Sequence, residues 1–131
     1  VAMAAAPAAT ELRVLRGWLL ALAVFELPGL HNFLVAGGSL RGGFWSTLRD
    51  GPAEKRCWSF CLALLVLTRL HAARWAGTSP GVLTHCAAVH VLEAAALGYE
   101  YLSKGSEGGR AIFGVIVANA AWFTSAALRL E

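Results

Sequence analysis

Glu26, His31, Arg69, His71, His85, His90, Glu93 and Glu100 stand inside stretches of this 131-residue chain that are otherwise apolar. An ionisable side chain among apolar neighbours is costly unless it is paired, ligated or reactive, so each is a candidate for chemistry. His90 and Glu93 are three residues apart and share a helix face, and Glu100 returns to that face seven residues after Glu93. Facing Arg69 on a neighbouring helix, the three would form an internal polar network that fixes helix packing. Two sharper readings compete. Paired Glu-x-x-His segments bind two metals in carboxylate bundles, but here the order is His-x-x-Glu, it occurs once, and no matching ligands accompany it. No metal site is expected. Alternatively, His31, His71, His85 or His90 could be an axial ligand to a tetrapyrrole, chlorophyll or haem, carried by a partner. No Ser-His-Asp arrangement, phosphate-binding Gly loop or repeated histidine box is present, so no catalytic residues are assigned.

The stretches that must position these residues are 17–36, 57–77, 82–102 and 111–128. A bilayer core about 30 Å thick needs about 20 helical residues to cross. With 57% hydrophobic and 15% charged residues, little remains outside these runs from which to build a soluble domain. Lipid offers no partners to backbone N–H and C=O groups, which leaves helices or a closed barrel. Runs such as Cys61-Leu62-Ala63-Leu64-Leu65-Val66-Leu67 do not alternate as barrel strands would. A soluble all-α bundle would show a polar face on each helix, and Ala111–Ala127 carries no charge at all. The expected fold is therefore an all-α integral membrane protein, an antiparallel bundle of four transmembrane helices in one domain over 1–131, with both termini on one side.

Between the spans the chain offers less. Val1–Glu11 is Ala-rich with Pro7 and reads as an irregular tail, left either by removal of a targeting segment or by an incomplete N-terminus. Pro28-Gly29 should kink or stop the first helix. Phe44, Trp45 and Leu48 beside Arg41 and Arg49 suit either a short surface-lying amphipathic segment or a plain loop. The turn Gly77–Gly81 is short enough to pair the second and third helices. Trp18, Trp45, Trp75, Tyr99 and Tyr101 fall near span ends, where interfacial rings belong. Cys57, Cys61 and Cys86 read as reduced, packed thiols. Basic residues divide almost evenly between the two sides, so orientation stays open, and a pI of about 9.1 reflects headgroup anchors rather than nucleic acid.

The run Arg56-Cys57-Trp58-Ser59-Phe60, continuing to Thr68-Arg69-Leu70-His71-Ala72-Ala73, resembles the ergosterol biosynthetic protein 28 family, in which an Arg followed by an aromatic precedes a second Arg thirteen residues later. Leu15-Arg16-Gly17-Trp18-Leu19 is similar to that family's opening, and Glu100 stands near its acidic residue. Trp18, Arg56, Trp58 and Arg69 carry the likeness. Ala96 replaces the family's His, and the first loop is longer. The resemblance implies a tetraspan scaffold of the endoplasmic reticulum that tethers the enzymes of sterol C-4 demethylation without catalysing a reaction. The expected partners are other integral membrane proteins and the lipid bilayer, with no cofactor beyond bound lipid. Small residues are the candidate contact faces, Ala94, Ala95 and Gly98 on the third helix and Ala118, Ala120 and Ala121 on the fourth, each equally suited to packing within the bundle. One alternative is an accessory subunit of a respiratory or photosynthetic complex in an organellar inner or thylakoid membrane, touching chlorophyll or haem. Another is a membrane isomerase or oxidoreductase using His90, Glu93 and Glu100.

Overall fold

The computed structural model describes residues 5–39, 51–104 and 110–131. Within them lie four helices, α1 (Ala5–Leu34), α2 (Pro52–Trp75), α3 (Val82–Lys104) and α4 (Arg110–Leu130). Each is long and apolar enough to cross a membrane. The fold is the expected all-α bundle, with the start of α1, the end of α4 and the α2–α3 turn at one end.

Helix limits follow local chemistry. α1 begins at Ala5, so the irregular tail expected to reach Glu11 is largely helical. Alanine is the best helix former, and Pro7 lies in the first turn, where a missing N–H costs nothing. Nor does Pro28 stop α1, which runs on to Leu34. A transmembrane helix tolerates proline because neighbouring groups re-satisfy the freed backbone. α2 starts with extended Gly51 as N-cap and Pro52 in the first position, and ends at Ala76, whose N–H donates to Ala72 O. The turn that follows depends on Gly77 at φ 74°, where any side chain would be strained and a Cβ would also strike Leu12 Cδ2. Thr78 and Ser79 close it by donating their N–H groups to Trp75 O at 3.0 and 3.1 Å. Phe44, Trp45 and Leu48 lie outside the described residues.

Packing is concentrated near the α2–α3 turn. Leu15, Leu19 and Leu22 of α1, Ala72 and Ala73 of α2, Leu83, Cys86 and Ala87 of α3, and Phe123, Ala126 and Ala127 of α4 form one core. Alanines on α2 leave room for larger side chains from the other helices, Phe123 of α4 the largest of them. At the opposite end the apolar core shrinks to a small cluster of Leu97 and Ile116, with Trp58, Ala94, Tyr101 and Phe113 against them. α1 packs closely along α2 and α3 along α4, while α2 and α3, although joined by the short turn, approach each other less closely. Phe25, Leu102 and Leu128 are 78%, 78% and 83% exposed. Apolar side chains this bare suit a lipid-facing surface.

A polar collar ties the chain ends to the well-packed end. Arg129 of α4 pairs with Glu11 of α1. Arg16 donates to Ala76 O, placing a cation at the C-terminus of α2, where the helix dipole favours it. The Glu131 carboxylate accepts from Leu83 N at 2.8 Å, Thr84 N at 3.1 Å and Thr84 Oγ1 at 2.9 Å, capping the otherwise unpaired first N–H groups of α3.

Candidate functional site

Arg69 projects from α2 into the bundle and is 2% exposed. A buried guanidinium must find acceptors for its N–H groups, and two neighbouring helices supply them. Nη1 donates to Glu26 Oε1 at 2.8 Å and to Leu22 O at 3.4 Å, both on α1. Nε donates to His90 Nε2 of α3 at 3.1 Å. Nη2 stands 3.6 Å from Glu93 Oε2, one helical turn beyond His90. Because His90 Nε2 accepts from a guanidinium, its ring proton belongs on Nδ1, which lies 2.9 Å from Cys86 O and donates to it. His90 is then neutral. Phe123 of α4 closes the cluster, its ring meeting His90 edge-on at a centroid distance of 4.6 Å.

Charge and hydrogen bonding do not balance within the group. One guanidinium faces two carboxylates and a neutral imidazole. The close donors go to Glu26 and His90, and Glu93 Oε2, although buried, receives no hydrogen bond. Beside Glu93 the looser contact between α2 and α3 leaves a groove of about 810 Å³, walled by Trp58, Cys61, Leu64, Leu92 and Ala96, with Glu54 and Glu93 as its carboxylates.

The expected network is thus partly realised: Arg69, His90 and Glu93 come together, and Glu26 completes the set. Glu100 is also buried, but Arg69 pairs with Glu26 and Glu93 rather than with it. Glu26 stood out in the sequence as an intramembrane acid, but nothing there aligned it with Arg69 across the first loop. Of the candidate tetrapyrrole ligands, His90 has both ring nitrogens engaged, whereas His31, His71 and His85 lie exposed on outer faces. Among the described residues, no three His, Cys, Asp or Glu side chains converge as a metal site.

Other candidate residues fall elsewhere. Trp18 donates its indole N–H to Asn119 Oδ1 at 2.8 Å, joining α1 to α4. A lone Asn in the apolar Ala111–Leu128 run was the available signal for that bond. Arg56 is exposed, and Trp58 is half-buried in the groove wall. Gly98 and Ala120 are buried within the bundle, Gly98 against the Phe113 ring, so both serve internal packing rather than a partner face. Ala118 and Ala121 are exposed. Of the three thiols only Cys86 is packed; Cys57 and Cys61 are exposed along the groove. No protein-family model matches the chain, and no match to it was found among curated proteins or solved structures.

Proposed function

We propose that this protein is a non-enzymatic membrane scaffold that packs against partner membrane proteins and tethers them. The observation that carries the reading is the outer face of α4. Ala111, Gly114, Ala118 and Ala121 recur at intervals of three and four residues and are all exposed, while Ile116, Asn119, Ala120, Phe123, Ala126 and Ala127 supply the bundle core from the opposite side. A Cβ added at Gly114 would meet nothing within 4 Å. Between transmembrane helices, which gain nothing from leaving water, such a stripe of small residues permits the close backbone approach that drives association. The pairing of Arg69 with Glu26, His90 and Glu93 supports the same reading, because these groups hold the helices in place.

The resemblance to the ergosterol biosynthetic protein 28 family suggests the endoplasmic reticulum and the enzymes of sterol C-4 demethylation as setting and partners. The exposed imidazoles of His31, His71 and His85 favour a second reading, an accessory subunit of an organellar respiratory or photosynthetic complex in which a partner's tetrapyrrole meets one of them. Purification in mild detergent, with identification of the companion proteins and an absorption spectrum, separates the two. Ala118→Phe and Ala121→Phe should release the companions while leaving the isolated chain folded. Retention of every companion by both variants would overturn the scaffold.

A further inference from the structure

We propose that the groove between the first half of α2 and the second half of α3 binds a long-chain amine, with its ammonium group on the Glu93 carboxylate and its apolar body along Trp58, Cys61 and Leu64. The proposal stands independently of any tethering role. A concave apolar site of about 810 Å³ with a few polar groups has the size and character of a small-molecule pocket. From Ala53 to Leu65 its α2 wall extends about 18 Å along the helix axis, which suits an elongated body.

Charge selects the head group. The wall carries two carboxylates, Glu54 and Glu93, and no basic side chain among its described lining. Glu93 is 10% exposed and stands between the groove and the Arg69 cluster. Its Oε2 is enclosed beside Arg69 without a hydrogen-bond donor, and the guanidinium 3.6 Å away already serves Glu26 and His90 at close range, so the carboxylate keeps negative charge to offer a cation on its groove side. With His90 neutral, two carboxylates share one positive charge. An ammonium supplies both missing quantities, a positive charge and up to three N–H donors. An alcohol brings a donor without the charge, and a fatty acid adds a second negative group. Depth argues against an ordinary phospholipid. Glu93 is eleven residues from either end of α3, about 16 Å along the axis, whereas a phosphate head stays at the membrane surface. Glu54, in the first turn of α2, marks the surface end of the groove, through which the amine would enter.

The test uses the full chain in mild detergent with hexadecylamine, hexadecanol and hexadecanoic acid as equal-length probes. Binding is read as slowed N-ethylmaleimide labelling of Cys57 and Cys61, with buried Cys86 as the internal reference. The amine should bind roughly tenfold more tightly than the alcohol, the margin of a charge-assisted over a neutral hydrogen bond, and the acid least tightly. Glu93→Gln should erase the difference between amine and alcohol, and Glu54→Gln should preserve it. Ala96→Phe, a change at an exposed groove position, should abolish protection by all three probes. Equal protection by the three probes in the wild-type chain would overturn the proposal, whether or not the Glu93 variant folds. So would an amine preference that survives Glu93→Gln but is lost in Glu54→Gln, because that pattern means adsorption at the surface carboxylate.

Discussion

Arg69 is the side chain whose removal should be felt most widely. Its neighbours Glu26 and Glu93 were desolvated in its presence, and truncating one member of a buried ion pair leaves the others uncompensated, at a cost of about 3–5 kcal/mol. Arg69→Ala should therefore lower the thermal stability of the purified chain by that order. Arg69→Lys should recover only part of the loss, because an ammonium cannot reach His90, Glu26 and the Leu22 carbonyl with the guanidinium's planar fork. Melting curves of the two variants in one detergent check this, and a wild-type curve for Arg69→Ala would remove the network as a stabilising element. Glu131 makes a smaller, pH-dependent contribution. What burial it has acts to raise its pKa, but donation from Leu83, Thr84 and Gly81 outweighs this and holds the carboxyl below its ordinary value of 4.5. A depressed pKa stabilises the fold above the unfolded value, and the contribution is lost as pH falls through the folded one. The wild-type chain should accordingly lose its stability advantage over Glu131→Gln as melts are taken from pH 5 downward, and a constant difference across that range would contradict the cap.

Each helix was legible in the sequence because a bilayer imposes a length and an apolar content, and α2 and α3 begin or end within a few residues of where composition changes. Which face of each helix turns inward was not legible. Helices apolar around most of their circumference give little contrast between the side that packs on protein and the side that meets lipid. Gly98 illustrates the consequence. As a small residue on α3 it reads equally well as a partner contact or an internal one, and only the Phe113 ring, 3.1 Å from where its Cβ would lie, decides between them. Gly98→Leu should therefore wedge α3 from α4 and destabilise the chain itself by about 1–3 kcal/mol, as overpacking does elsewhere. Gly98→Leu combined with Phe113→Ala should be less destabilised than the two single changes summed, since the smaller ring site makes room for the new side chain. Additive effects in that cycle would mean the two positions are not in contact. Pairings across elements were hidden for a related reason. Nothing in residues 37–56 sets the register of α1 on α2, so Glu26 could not be aligned with Arg69 in advance.

The bundle is built unequally along its length, and its dynamics should follow. At the end holding the start of α1 and the end of α4, the main core, the Arg129–Glu11 pair, the Arg16 contact to Ala76 and the Glu131 cap all join one helix to another. At the other end a much smaller cluster remains, centred on Leu97 and Ile116, and α2 parts from α3 around the groove. Local opening is easiest where buried contacts are fewest, and hydrogen exchange reports it. Backbone amides in the Pro52–Leu64 half of α2 should exchange faster than those from Leu65 to Trp75, and those from Ala94 to Lys104 in α3 faster than those from Leu83 to Val89. In lipid nanodiscs both halves are equally shielded from bulk water by the bilayer, so a gradient that persists there is a property of the helix packing rather than of detergent access. Filling the groove should flatten it: Ala96→Phe supplies apolar contacts across the α2–α3 gap and should slow exchange in the Pro52–Leu64 segment while leaving Leu65–Trp75 unchanged. Uniform exchange along both helices in the wild-type chain would mean that the packed end and the groove end open as one unit, and that the collar of polar contacts adds nothing to the end it joins.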